Sequence, residues 1–176
     1  MEPAFVVDAA RWLFVAAMVA LAVGDIATFR IPNWANAAMA ASFPAFAAAA
    51  ALAGAEIHWV GHILAGVVVF AGGFIMFQLK ALGGGDVKLL SAAALWMGMD
   101  GLLPFLVWVG LAGGGLVLLL LILRRNLMIL VAWASPRVPQ TWPRVLTAGE
   151  KVPYGVAIAI GAILIAVQGR YGFFAL

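Results

Sequence analysis

The chain has no cysteine and only two histidines among its 176 residues. Disulfides, thiolate metal centres, iron–sulfur clusters and cysteine nucleophiles are therefore excluded. His58 and His62 sit at i, i+4 on one helix face, but without further convergent donors they do not complete a metal site, and they read as interfacial packing. No metal or other cofactor is expected. Charge is equally scarce: Asp, Glu, Lys and Arg make up 10% of the sequence, against about 25% in an ordinary soluble domain. There is no basic patch interleaved with stacking aromatics, and no glycine-rich loop followed by Gly-Lys-Ser/Thr. Nucleic-acid and nucleotide binding are not expected. What remains is apolar: 66% of the residues are hydrophobic and the mean hydropathy is +1.14. A water-soluble core of this size cannot hide that much apolar surface, so the solvent must be lipid.

At about 20 residues per crossing, the chain has room for about six spans and no sizeable extramembrane domain. Uncharged runs cover residues 12–24, 31–55, 57–79, 89–99, 101–123 and 152–169. The first lies in a helix that starts near Phe5, where Asp8 and Arg11 are placed to pair or snorkel, and Pro44 marks a kink in the second. The segment before the first helix has no basic n-region and no small-residue cleavage site follows, so no signal peptide is expected. The expected fold is an all-α membrane protein, a single domain over 1–176: a polytopic bundle of six transmembrane helices with a short fourth helix. A loop at 124–152 lies within it.

With the N-terminus outside, Arg30, Lys80, Lys88, Arg124, Arg125, Arg137, Arg144 and Lys151 fall on the cytoplasmic side. Arg11 and Arg170 stay outside with Glu2, Asp8, Glu56 and Asp100, a strong positive-inside bias. If 89–99 did not cross, the basic 124–151 stretch would move outside and the bias would be lost. Residues 86–99 make only about 21 Å of helix at about 1.5 Å per residue, short of a hydrocarbon core of about 30 Å. A true but short crossing therefore puts Asp86 below the lipid surface, in a wet dent. The stretch 124–151 is either an extension of the fifth helix followed by a loop stiffened by Pro136, Pro139 and Pro143, or a helix lying in the interface.

Carboxylates within spans are expensive and mark function. Two of the seven acids fall at cytoplasmic helix ends: Asp25, closing the first helix, and Asp86, opening the fourth. Two such groups suit one reaction. Like charges held close share a proton; one carboxylate then draws a proton from water while the other donates to a carbonyl oxygen, hydrolysing a peptide bond without a metal. Gly83, Gly84 and Gly85 remove side chains beside Asp86, allow positive φ, and let backbone approach an extended substrate. The plainer alternatives are that Asp86 is the N-cap of the fourth helix and that Asp25 pairs with Arg30. Lys88 is an interfacial anchor or tunes the pair. Ile31-Pro32-Asn33 starts the second helix, with Asn33 placed to bond the nearby loop. Pro153-Tyr154-Gly155 opens the last helix and is either an interfacial start or a wall of the site. Gly110–Gly114 matches small-xxx-small helix packing.

Asp25 followed by Ile31-Pro32-Asn33, then Gly83-Gly84-Gly85-Asp86-Val87-Lys88-Leu89, resembles the type IV prepilin peptidase family of GxGD intramembrane aspartyl proteases. Val152-Pro153-Tyr154-Gly155 is similar to the family's Pro-aromatic-Gly element. The resemblance covers nearly the whole chain. It implies that Asp25 and Asp86 are the catalytic pair, and that the substrate is a prepilin with a short basic leader and a hydrophobic helix. Cleavage would fall after the leader's terminal Gly, at the cytoplasmic face of the inner membrane. Larger members carry paired zinc-binding cysteines and methylate the new N-terminus; this chain has no cysteine, so methylation is expected to be absent. The short form resembles peptidases of tight-adherence (Flp) pilus systems. Self-association is left open. Two rivals stand beside this reading: a transporter or proton-relay subunit using the same two acids, and a non-enzymatic membrane assembly protein.

Overall fold

The computed structural model describes residues 2–133 and 152–176. Their long elements are all helical: α1 (Pro3–Thr28), α2 (Asn33–Leu52), α3 (Trp59–Gln78), α4 (Gly84–Trp133) and α5 (Tyr154–Gln168), followed by a 3-10 turn, Gly172–Ala175. The all-α expectation holds. The expected count of six does not, because among the described residues five helices are long and apolar enough to cross a membrane. The expected fourth and fifth helices form one element, α4, with no loop between them. Gly98 alone breaks it, at φ 62°, ψ 179°, a backbone region open essentially only to glycine.

The break gives α4 two arms with different neighbours. The 84–97 arm runs antiparallel to α3: a Cβ on Gly73 would meet the Val87 side chain, and one on Gly66 would meet Leu95. The 99–133 arm runs antiparallel to α5: Gly161 lies against the Val109 backbone, Gly113 against Tyr154, and Gly101 against Tyr171. Gly172 packs on the Met97 carbonyl. Val87 and Gly113 thus lie toward the end where α5 starts, and Met97 and Gly101 toward the end where it finishes. In the glycine stripe only Gly113 is in close packing; Gly110 and Gly114 have open space around them.

An aromatic cluster sets the register of the first arm. Trp96 is fully buried and packs against Phe14, Phe43, Phe173 and Phe174 with ring centroids 5.2, 5.7, 5.3 and 5.7 Å away. Such pairs contribute about 0.5–1.5 kcal/mol each beyond area burial. The Trp96 indole N–H donates to the Met39 carbonyl at 3.2 Å, so the polar edge is satisfied as well. His62 is buried, and its Nδ1 lies 2.6 Å from the Leu95 carbonyl oxygen. It thereby ties α3 to the end of the 84–97 arm, beside the break at Gly98. Asp8 and Arg11 do pair, at 2.7 Å, and Arg11 also donates to the Phe174 carbonyl at 2.9 Å, tying α1 to the C-terminal turn.

The interior is apolar, but so is much of the exterior, unlike that of a water-soluble protein. Leu13, Val60, Val67, Leu103 and Leu118 face outward, while Asp25, Asn36, His62 and Ser91 are buried. α4 continues past Arg124 and Arg125 to Trp133. The rest of the expected 124–152 loop, residues 134–151 with Pro136, Pro139, Pro143 and Lys151, lies outside the described residues.

Candidate active site

Four helix ends meet at one end of the bundle: the C-terminus of α1 and the N-termini of α2, α4 and α5. They enclose a cavity of about 750 Å³ whose lining includes Asp25, Ile31, Asn33, Gly83, Asp86 and Tyr154. The two acids singled out by their scarcity therefore share one space.

Asp25 comes from the last turn of α1, which Phe29 closes in the left-handed region at φ 53°. Thr28 stiffens the exit, its hydroxyl donating to the Gly24 carbonyl at 2.8 Å and accepting from the Arg30 N–H at 3.3 Å. The Asp25 residue is 4% exposed. Its carboxylate turns to α5 and not to Arg30: Oδ2 accepts the Gly155 backbone N–H at 2.8 Å, with the Val156 N–H beside it. The first N–H groups of a helix lack intrahelical acceptors and attract negative charge, so Asp25 performs in trans the capping that Pro153 cannot. Gly155 is required for this approach. A Cβ there would sit 2.7 Å from Asp25 Oδ2 and 2.9 Å from Ile31 Cδ1.

Asp86 is half-buried in the first turn of α4. It is not the N-cap: the helix starts at Gly84, and Val87 N–H already bonds the Gly83 carbonyl at 3.0 Å. The three glycines do not use the positive φ that they allow; among the described glycines that conformation occurs at Gly54, Gly98, Gly169 and Gly172 instead. Gly84 and Gly85 are helical, so the glycines act by lacking side chains, and they are not equivalent. A Cβ on Gly83 would fall 2.6 Å from Asp86 Oδ2, whereas one on Gly85 would rest at 3.5 Å from Ile31, an ordinary contact.

Ile31, buried between the two halves, touches both the Gly85 and the Gly155 segments. Pro32 is the N-cap residue of α2, and its carbonyl accepts from Ala35 and Asn36. α2 then holds the Asp86 segment with two side chains. Asn33 Oδ1 accepts from Lys88 Nζ at 2.8 Å, and Asn36 Nδ2 donates to the Gly85 carbonyl at 3.2 Å. Lys88 is thus a tie between helices rather than only an anchor. Asn36 was not anticipated from the sequence. Its signal there is an amide one turn beyond Asn33 in an otherwise apolar helix. Pro153 is buried, and Tyr154 lines the cavity with its ring against Gly113. Among the described residues no group of three or more His, Cys, Asp or Glu side chains is placed to hold a metal ion.

Two carboxylates on one water-accessible cavity, set in an all-helical bundle with an apolar exterior, define the class of protein: a multi-pass membrane protein with a two-aspartate site. Residues 12–119, more than half of the chain, match the type IV leader peptidase family (Peptidase_A24), and the protein belongs to that family. The matched stretch contains Asp25 and Asp86 and ends before α5. No curated protein and no solved structure matches the chain.

Proposed function

We propose that the protein is a membrane-embedded aspartyl endopeptidase that removes the leader peptide from prepilins at the cytoplasmic face of the inner membrane. The observation that carries this reading is the shared cavity of Asp25 and Asp86 in a member of a leader peptidase family. With one proton between them, one carboxylate takes a proton from water as its oxygen attacks the scissile carbonyl carbon. The other, protonated, donates to the carbonyl oxygen. Collapse of the tetrahedral diol breaks the C–N bond, and the leaving nitrogen takes up a proton from the pair. The products are a free leader carboxylate and a new amine at the start of the hydrophobic helix. No metal and no covalent enzyme intermediate enters these steps, and no methylation follows.

The N-terminus is outside, the site faces the cytoplasm, and both arms of α4 cross the membrane, giving six crossings from five helices. The opposite directions of the two arms, set by their packing on α3 and α5, support that count. The test uses purified protein in nanodiscs with a prepilin, and mass spectrometry of the products. A single cut after the leader's terminal Gly is expected, with Asp25→Asn and Asp86→Asn each reducing the rate by about 10²–10⁴-fold, the usual contribution of a general acid or base. Wild-type rates in both variants would end the reading.

A further inference from the structure

A groove of about 530 Å³ runs along the outside of the bundle between α2 and α3, floored by the 84–97 arm at Ser91, Ala92 and Leu95. α2 and α3 each pack on α4 and meet one another at the far end, where Phe43 packs on Trp59 and His62, which leaves the groove between them open toward lipid. It extends from Lys88 and Asn33 at the aspartate end to Ile63 and Leu95 near the break at Gly98.

Three features distinguish it from the rest of the apolar exterior. It adjoins the aspartate cavity, with Asn33 lining both. Its walls are small, at Ala37, Ala40, Gly66 and Ala92, and small residues let a second helix approach closely in lipid. An unpaired polar atom also lies beside it. Asn36 lines the groove and is 4% exposed. Its Nδ2 is committed to the Gly85 carbonyl, which fixes the orientation of the amide, and its Oδ1 has no hydrogen-bond partner among the described residues.

A buried acceptor without a donor is costly, more so beside lipid. The first turn of any helix carries N–H groups with the complementary deficit. We propose that this groove seats the membrane-spanning helix of the substrate, and that Asn36 Oδ1 accepts a backbone N–H from that helix's first turn. The proposal rests on the leader-peptidase reading and extends it to how the substrate is held. The scissile bond lies in the cavity with Asp25 and Asp86; the chain leaves past Asn33, becomes helical at Asn36, and continues along Ala40 and Leu95. Asn36 is then a positioning residue, acting on the reaction through the register of the bound helix. The second lateral groove, between α1 and α2 at Leu13, Ala38 and Trp34, holds about 330 Å³. It shares no lining residue with the cavity and has no unpaired buried polar side chain along it.

The test compares two substrates in nanodiscs: a full-length prepilin, and a soluble peptide that ends before the hydrophobic helix. Ala40→Trp fills the α2/α3 groove. It is expected to raise KM for the full-length substrate at least tenfold while leaving kcat/KM for the peptide near wild type; Ala38→Trp, in the other groove, changes neither. Asn36→Ala lowers kcat/KM more for the full-length substrate than for the peptide, since loss of the Gly85 tie is common to both and cancels in the ratio. A photocrosslinker at Val67, on the α3 wall, joins the substrate helix in otherwise unaltered protein. Unchanged KM in Ala40→Trp, or crosslinks from Val67 to lipid alone while those from Ala38 reach the substrate, overturns the assignment. If wild-type protein cleaves neither substrate, the leader-peptidase reading itself fails, and the assignment with it.

Discussion

The backbone N–H of Gly155 donates to Oδ2 of Asp25 at 2.8 Å, so α5 is capped by a carboxylate carried on α1. The contact joins residues 130 positions apart and makes the orientation of the Asp25 carboxylate depend on the place of the last helix.

Gly155→Ala puts a methyl group 2.7 Å from Asp25 Oδ2 and 2.9 Å from Ile31 Cδ1. The carboxylate must move, and a shift of about 1 Å at a reacting group costs about 10²-fold in rate. We expect kcat to fall by that order, with circular dichroism in detergent unchanged. Steady-state cleavage assays on the purified variant check this.

Gly83→Ala and Gly85→Ala separate the glycines before Asp86. At Gly83 the added carbon lies 2.6 Å from Asp86 Oδ2 and turns that carboxylate out of its position, so cleavage is expected to fall by about tenfold or more. At Gly85 it meets Ile31 at 3.5 Å, and cleavage stays close to wild type. Measuring both variants against one substrate decides the order.

Gly98→Ala forces a side chain onto φ 62°, ψ 179° and into the His62 ring at 3.2 Å. A backbone conformation of this kind costs about 1–3 kcal/mol for a residue other than glycine. We expect a lower midpoint in thermal unfolding in detergent, and a larger effect than that of Gly110→Ala, whose added methyl meets nothing within 4 Å.

The chain has no native cysteine, so Asp86→Cys provides a single labelling site. Small methanethiosulfonate reagents are expected to modify it from the aqueous side, and a bulky impermeant maleimide to react poorly. Full reaction with the bulky reagent would place position 86 in an ordinary loop.

Asp25 and Asp86 were legible in the sequence because acids are few and each stands at the end of an apolar run. The helix starts at Asn33 and Tyr154 were legible from the prolines before them. The break in α4 was placed correctly near Met99 but read as an ordinary turn, because a glycine in a rare backbone region has no side-chain pattern to mark it. For the glycines before Asp86 the sequence offers two uses, the lack of a side chain and an unusual φ, and only coordinates tell that the first is used. Asn36 was missed because an unpaired amide is defined by what surrounds it, and its surroundings come from the 84–97 arm, far along the chain. Lys88 and Asn33 were each noted, but nothing in their spacing predicted that they bond to one another.

From Gly113, which packs on Tyr154 at the wall of the cavity, α4 advances eleven positions to its next basic side chain, Arg124. That is about 16 Å of helix, and Leu118, Leu119, Leu121 and Ile122 face outward along it. That flank matches a taller stretch of leaflet than the short 84–97 arm does. On the proposed reading, a bilayer thinned on the side of the short arm would give water and an unwound peptide a shortened path to the carboxylates.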